Sequence, residues 1–362
     1  MNILIVTATD SSYNSLRPDS EILVGLAKSG HKLTVITHAD SEYAQRFRDC
    51  GIEVIDGHPS KKISLKCIKK IRRLLKTRHY DIVYATSSKS IPNAAFGCIG
   101  FPVKFITYRG TTGGLYRHDP SAYLTHLHPR VDGVIGVTNA VRDDVAKRVW
   151  KNKQNVVTIY KGHELSWYNK QPADLSEFGI SENDFTVICA VNARPSKGIA
   201  VMIEAASYLA DIENLHILLV GRNMNKEPYD SLIKNNKMRE RIHLTGYRHD
   251  APELIMASDI LVQPSVSGEG LPRAMMEAMG YGTPSVITTT GGGKEVMEDG
   301  VTGFIVPVKD PKAIADRVRK LYQQPELVKE MSKRGKEKIQ NEFSSRRTVE
   351  NYIKYFESII KS

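Results

Sequence analysis

Short apolar runs rich in β-branched residues alternate with helix-period segments along this chain, stop once, and then start again. The first series is Ile3 to Val6, Leu33 to Thr37, Glu53 to Ile55, Ile82 to Tyr84, Val103 to Thr107, Gly133 to Val137 and Val156 to Ile159. The second is Phe185 to Val191, His216 to Val220, Ile242 to Leu244, Ile260 to Val262, Pro284 to Ile287 and Phe304 to Val306. Runs of this kind, joined by helices, are the strands of a parallel sheet buried on both faces. Between the two series, Gly162 to Glu182 loses periodicity and carries Pro172 and Gly179, which suits a linker. The expected fold class is therefore α/β: two Rossmann-like, doubly wound domains facing a central cleft, with ligands at the carboxyl ends of the strands. The expected boundaries are a first domain over 1–165, a linker over 166–184, a second domain over 185–342 and a C-terminal helix over 343–362. Tyr352, Tyr355, Phe356 and Ile359 fall on one face of that helix, so it is expected to pack back on the first domain.

A length of 362 residues fits two such domains, and 41% hydrophobic with 25% charged content excludes collagen-like and disordered chains. The longest membrane candidate, Ser90 to Val103, has only 14 residues and contains Pro92 and Asn93, too short to span. MNILIVTATD has no basic lead and meets Asp10 before an apolar core can form, so a cytoplasmic chain without a signal peptide is expected. Cys50, Cys67, Cys98 and Cys189 are too scattered for a zinc motif or a disulfide framework and read as reduced thiols.

The charge is unevenly placed. Residues 1–170 hold 26 Lys and Arg against 14 Asp and Glu, a formal +12, whereas residues 171–362 hold 25 against 26. Confinement to one half points to an anionic partner that meets that half. Lys61 to Arg78, KKISLKCIKKIRRLLKTR, carries nine basic residues and no acid, with Ile63, Cys67, Ile68, Ile71, Leu74 and Leu75 at helical spacing. It reads as an amphipathic helix whose cationic face is either simply solvated or drawn to anionic lipid, which would place the protein peripherally on the cytoplasmic face of the inner membrane. Nucleic acid is not expected, since no helix-turn-helix, zinc finger or aromatic RNP pattern accompanies the charge.

Three strand-to-helix junctions in the second half carry the chemistry. SGEGLPRAMMEAM, Ser267 to Met279, turns from ILVQP into a helix whose free N–H groups suit a phosphate. Glu269 sits at its mouth, and Glu277 lies eight residues on, about 12 Å further if the helix runs through both. Glu277 is suited to accept from vicinal ribose hydroxyls and Glu269 lies near a bound sugar. NARPSKG, Asn192 to Gly198, puts Arg194 and Lys197 at another strand end, where they can grip a diphosphate. ITTTGGGKE supplies Gly291 to Gly293, which permit close approach of a ligand. Either glutamate or either cation alone also fits a solvated charge; the combination does not.

In this order and on this scaffold, NARPSKG, PSVSGEGLPRAMMEAMGYGTPSV and GGGKEVMEDGVTGFIVP resemble the family-4 retaining glycosyltransferases of the GT-B fold, over roughly Phe185 to Tyr322. Glu269 and Glu277 match the family's paired-glutamate motif. The resemblance implies that Glu277 holds the nucleotide ribose, that Glu269 contacts the donor sugar, and that Arg194 and Lys197 bind the diphosphate. It further implies that the turn Gly270, Leu271, Pro272 and Arg273 and the loop at Gly246, Tyr247 and Arg248 cradle phosphate and base. Its reaction moves a sugar from a nucleotide-diphosphate sugar to a glycan or lipid-linked acceptor, as in bacterial surface polysaccharide or lipopolysaccharide synthesis. No cofactor and no metal are expected, and no DxD motif is present. The first half matches more loosely, through LAKSGHKLTVIT, VTNAVRDDV and VVTIYKGHE. It departs in ATDSSYNSLRP, which lacks the paired glycines, and in KFITYRG, where many members have a histidine. Arg109 and His118 are the acceptor-side candidates. Two rivals stand beside transfer: a nucleotide-sugar epimerase of the same fold, indifferent to added acceptor, and a noncatalytic binder of anionic surfaces, which leaves the Glu and Arg/Lys constellation without a task.

Overall fold

The computed structural model describes residues 1–11, 13–168 and 171–362. They divide into two compact units, Met1–Gly162 with Ser345–Ser362 and His163–Ser344. The strands of the first unit are β1 (Asn2–Val6), β2 (Lys32–Thr37), β3 (Glu53–Asp56), β4 (Ile82–Ala85), β5 (Lys104–Arg109), β6 (Gly133–Gly136) and β7 (Val156–Thr158). They form one parallel sheet in the order β3-β2-β1-β4-β5-β6-β7. Helices α1 (Tyr13–Lys28), α2 (Glu42–Asp49), α3 (Leu65–Thr77), α4 (Ser90–Gly97) and α5 (Asn139–Ala146) make its crossovers.

The second unit carries β8 (Phe185–Ala190), β9 (Leu215–Val220), β10 (Ile242–Gly246), β11 (Ile260–Gln263), β12 (Ser285–Thr288) and β13 (Gly303–Val306), ordered β10-β9-β8-β11-β12-β13. Its helices are α6 (Ile199–Ser207), α7 (Tyr229–Lys234), α8 (Ala251–Ala257), α9 (Arg273–Tyr281), α10 (Gly293–Val296), α11 (Pro311–Gln323) and α12 (Pro325–Glu342). Both sheets reverse their winding once, between β1 and β4 and between β8 and β11. In a doubly wound sheet this reversal splays the flanking loops and opens a crevice.

The last helix, α13 (Ser345–Lys361), returns to the first unit. Val349, Tyr352, Phe356 and Ile359 share a core with Ile22, Leu26, Tyr84 and Ile135. The rings of Tyr84 and Phe356 meet edge-on at 5.8 Å, and the Tyr84 and Tyr352 hydroxyls are 3.0 Å apart. Thr348 Oγ1 accepts from the Gly162 N–H and donates to the Tyr160 carbonyl, both at 2.8 Å. These bonds pin the end of the first unit's chain to the start of α13.

Two local expectations need correction. The described part of 166–184 is no free linker: Ile180 is buried beside Ile188 and Leu218, with Ala173, Leu175 and Phe178 packed around them. The residues Asn169 and Lys170 of that stretch lie outside the described residues. Ile63 is not on the inner face of the basic helix either. Ser64 caps α3, its hydroxyl accepting from the Cys67 N–H at 3.4 Å, so Ile63 precedes the helix and is exposed, as is Leu65 at 70%. Cys67, Ile71 and Leu74 form the buried face.

Phe356→Ala removes a fully buried ring from the core shared by α13 and the first sheet, so a loss of about 3–5 kcal/mol is expected. Urea unfolding followed by circular dichroism checks it; a change below 1 kcal/mol would mean that α13 does not stabilise that unit.

Candidate functional site

Three loops of the second unit, following β8, β11 and β12, are tied into one structure. Ser196 in the first accepts from the Val266 and Ser267 N–H groups of the second, at 2.8 and 3.3 Å. Thr288, ending β12, donates to the Ser265 carbonyl at 2.5 Å, and the Gly292 N–H donates to the Gly270 carbonyl at 2.8 Å. Two glycines make this closeness possible. Gly198 adopts φ +71° with the Pro264 carbonyl where a Cβ would be, and Gly291 adopts φ +59° against the backbone of Glu269. A side chain at either place would meet backbone in a conformation that non-glycine residues rarely adopt.

The loops hold a buried carboxylate. Glu269 is 5% exposed, and its Oε1 accepts from Lys197 Nζ at 2.5 Å, Ser265 Oγ at 2.5 Å and Gln263 Nε2 at 3.2 Å. Lys197 reaches it from the β8 loop, so the ion pair spans the winding reversal between β8 and β11. Oε2 accepts no hydrogen bond from the described residues. Gln263 and Ser265 were not anticipated from sequence; a strand that ends apolar, polar, Pro, polar, as in VQPS, is the only signal they left.

The sequence spacing placed Glu269 and Glu277 along one helix, but α9 starts at Arg273 with Pro272 at its N-cap. Glu269 belongs to the loop before it, and the 12 Å separation by helix rise does not apply. Glu277 is inside α9, 8% exposed, with Arg273 Nε 3.5 Å from its carboxylate. Gly270 is buried, Leu271 half-buried, and Arg273 exposed at the first helical position. The opening N–H groups of a helix have no intrahelical acceptor, so this turn presents donors.

Arg194 and Lys197 share a loop but are used differently. Lys197 is spent on Glu269, whereas Arg194 is exposed and makes no ion pair among the described residues. The β10 loop also divides. The Gly246 carbonyl accepts from the Gly221 N–H at 2.8 Å, and Tyr247 is exposed with the Arg222 guanidinium 4.6 Å from its ring centre. Arg248 is bidentate to Glu177 at 2.8 and 3.0 Å and to Asp250 at 2.7 and 2.8 Å. Asp250, with Glu177, holds that guanidinium above its ordinary pKa, and Arg248 holds the Asp250 carboxyl below its own. Arg248 therefore clasps the segment 171–184 onto the unit, and the expectation that it cradles a ligand is not supported by its bonding.

In the first unit the acceptor-side candidates diverge. Arg109, at the end of β5, donates through Nη2 to the Gly113 carbonyl, and its buried Nε has no partner among the described residues. Burial lowers its pKa, with Arg148 adding and Asp144 opposing. His118 lies at the surface with its ring stacked on Tyr116, centroids 5.3 Å apart. No contact joins the two among the described residues.

Residues 20–167 match the family model described as Glycosyltransferase Family 4, and residues 170–338 match that described as Glycosyl transferases group 1. The chain is 26% identical over 309 residues to the N-acetyl-alpha-D-glucosaminyl L-malate synthase of Bacillus anthracis, covering 82% of this chain and 80% of that protein. It is 25% identical over 299 residues to the UDP-Gal:alpha-D-GlcNAc-diphosphoundecaprenol alpha-1,3-galactosyltransferase of Escherichia coli, covering 77% and 76%. A crystal structure of a glycosyltransferase from Rickettsia africae ESF-5 superposes with a TM-score of 0.82 at 20% identity, over 100% of this chain and 99% of that one. The two family models together run from residue 20 to residue 338, and the chain belongs to the group 1, family-4 glycosyltransferases of the GT-B fold class.

Proposed function

We propose that this glycosyltransferase moves a sugar, with retention, from a uridine-diphosphate sugar to a lipid-linked or glycan acceptor in bacterial surface polysaccharide or lipopolysaccharide synthesis. The observation that carries the reading is the half-committed carboxylate of Glu269, with one oxygen fixed by Lys197, Ser265 and Gln263 and the other open. A buried, oriented acceptor atom of this kind suits a sugar hydroxyl. Uridine is favoured by the donor named for the Escherichia coli relative, and a lipid-linked acceptor by the diphosphoundecaprenol in the same name.

In the reaction the bond from the anomeric carbon to the diphosphate oxygen breaks, with its electron pair leaving on the phosphate. The acceptor oxygen bonds to that carbon on the same face, and its proton passes to the departing phosphate oxygen. Charge therefore grows on the diphosphate. Arg194, Lys197 and the N–H groups of Gly270, Leu271 and Arg273 are our candidates to meet it, because fixed donors aimed at developing charge supply the largest rate term in such sites. Glu277, buried in α9, is assigned to the ribose and Tyr247 to the base. For the acceptor, Arg109 is preferred to His118, since its half-buried guanidinium keeps an unpartnered donor.

No helix among the described residues is long and apolar enough to cross a membrane. We assign the protein to the cytoplasm, held at an anionic membrane surface by α3. Lys70 donates to the Asp56 carbonyl and Arg72 to the Ile99 carbonyl, which leaves Lys66, Lys69, Arg73 and Lys76 as the exposed cations of the helix.

Glu277→Gln is expected to weaken binding of a uridine-diphosphate sugar about tenfold or more in a calorimetric titration, since a hydrogen bond to a charged partner contributes roughly 1.5–3 kcal/mol. Unchanged affinity would remove Glu277 from the ribose site. The double variant Arg194→Ala, Lys197→Ala should lower kcat by about 10²–10³ while changing donor affinity less, because only stabilisation that grows toward the transition state accelerates chemistry. Lost affinity with intact turnover would refute the leaving-group role. Replacing Lys66, Lys69, Arg73 and Lys76 by Gln should weaken binding to vesicles containing anionic lipid and spare transfer to a water-soluble acceptor, at ~1 kcal/mol per charge near the surface. Equal binding by both proteins would return α3 to a solvated helix.

A further inference from the structure

A cavity of about 180 Å³ lies in the first unit at the amino ends of β6 and β7, the opposite sheet end from the loops where a doubly wound fold binds its substrates. Leu127, Val131, Val134, Val149 and Val156 form its wall. Among the ionisable side chains of its wall, Asp132 and His126 are already engaged. The Asp132 carboxylate accepts from the Phe105 N–H at 2.8 Å and from Arg130 at 2.5 Å. His126 faces the Thr107 hydroxyl at 3.0 Å, and burial, with Arg109, holds it neutral with a pKa of about 3. The interior thus offers apolar surface and little free hydrogen-bonding capacity, which selects a hydrocarbon over a sugar or nucleotide.

The mouth has a different character. Trp150 stands there 63% exposed, yet it is held: its Nε1 donates to the Tyr123 hydroxyl at 3.3 Å, and the Arg117 guanidinium lies 4.1 Å from its ring centre. Arg117 is itself fixed by the carbonyls of Lys147 and Arg148, at 3.1 and 2.8 Å. Clamped at the rim of the apolar wall, the indole extends that wall to the surface as one continuous apolar patch. Around it the run KRVWKNK brings Lys147, Lys151 and Lys153, all exposed and without a carboxylate partner among the described residues. An apolar hole, an indole at its rim and unpaired cations beside it follow the order of layers met on entering an anionic bilayer: headgroup charge, aromatic belt, hydrocarbon.

We infer that this cavity takes one acyl chain of an anionic membrane lipid, with Trp150 at the hydrocarbon boundary and Lys147, Lys151 and Lys153 on the headgroups. The inference extends the peripheral-membrane reading to a site separate from α3, and its readout is taken per bound protein so that failure of α3 alone leaves it intact. The chain has two tryptophans, so Trp167→Phe leaves Trp150 as the only indole. This protein is mixed with phosphatidylcholine vesicles, with or without one-third phosphatidylglycerol, whose acyl chains do or do not carry a spin label.

Expected are a blue shift of Trp150 emission and its quenching by more than half on labelled anionic vesicles. Lys147→Gln, Lys151→Gln and Lys153→Gln together should weaken partitioning about tenfold or more. Val131→Phe, which fills the cavity, should abolish quenching per bound protein. Should it fail to fold, the quenching profile with labels at different chain depths decides, and only a maximum within the chain region supports the site. Bound protein without quenching, or equal quenching on neutral vesicles, overturns the inference. So does quenching by a labelled free fatty acid but not by the labelled bilayer.

Discussion

The ion pair between Lys197 and Glu269 is the contact on which the second unit's loops depend. A carboxylate at 5% exposure pays several kcal/mol in lost hydration unless it is paired and hydrogen-bonded. Lys197, Ser265 and Gln263 all meet one oxygen, so the charge is compensated from a single side. To deliver the ammonium, the loop after β8 must lie across the start of the loop after β11, and that crossing is where Gly198 sits against the Pro264 carbonyl. The same crossing places the turn before α9. Removing either charge leaves the other buried and unpaired, a loss of roughly 3–5 kcal/mol in comparable buried pairs, and Lys197, a quarter exposed, stands toward the low end.

Two kinds of cation are present, those fixed in ion pairs and those left exposed. In the second unit Arg248 is held by Glu177 and Asp250, and Arg319 by Asp211, so these guanidinium groups act as clasps between segments. In the first unit Arg46, Arg130 and Arg148 are fixed on Glu21, Asp132 and Asp144, whereas the exposed lysines of α3 and of the Lys147–Lys153 run have no carboxylate partner among the described residues. Fixed clasps contribute shape, while unpaired cations contribute field. An anionic partner would therefore meet those lysines without competing against internal ion pairs.

How much of this was legible in the sequence depends on whether the signal was local. Central parallel strands read as continuous apolar runs, and the partly exposed edge strands β3 and β10 keep enough β-branched and apolar residues to show as well, so every strand of both sheets is visible in the sequence to within a residue or two. The family motifs were legible because loops at strand ends carry short fixed patterns. Periodicity misled where a cap interrupted it. Ile63 keeps the spacing of the inner face, but Ser64 begins the helix one residue later, and Pro272 likewise starts α9 after Glu269 and not before it. The segment 171–184 lacked periodicity and still packs, because Phe178 and Ile180 dock as single side chains and Glu177 is caught by Arg248 from a loop 71 residues away. The bonds of Gln263 and Ser265 to Glu269 exist only once three loops have met, and no window of sequence contains them.

The pairing of Lys197 also bears on how the site can favour a transition state over a substrate. A free lysine at a strand end would bind a diphosphate in the ground state as firmly as it could, which lowers the energy of the bound donor along with that of the barrier. An ammonium already in contact with a carboxylate has a smaller net attraction for an incoming anion. On the proposed reading its attraction would rise as the bond to the anomeric carbon lengthens and charge accumulates on the phosphate oxygen. Arg194, exposed and without an ion pair among the described residues, would attract the diphosphate of the bound donor as well as that of the departing group. On the proposed reading the two cations, three residues apart, serve one diphosphate together, and Lys197 is the one whose contribution grows most toward departure. The difference between them lies in whether Glu269 has claimed them beforehand.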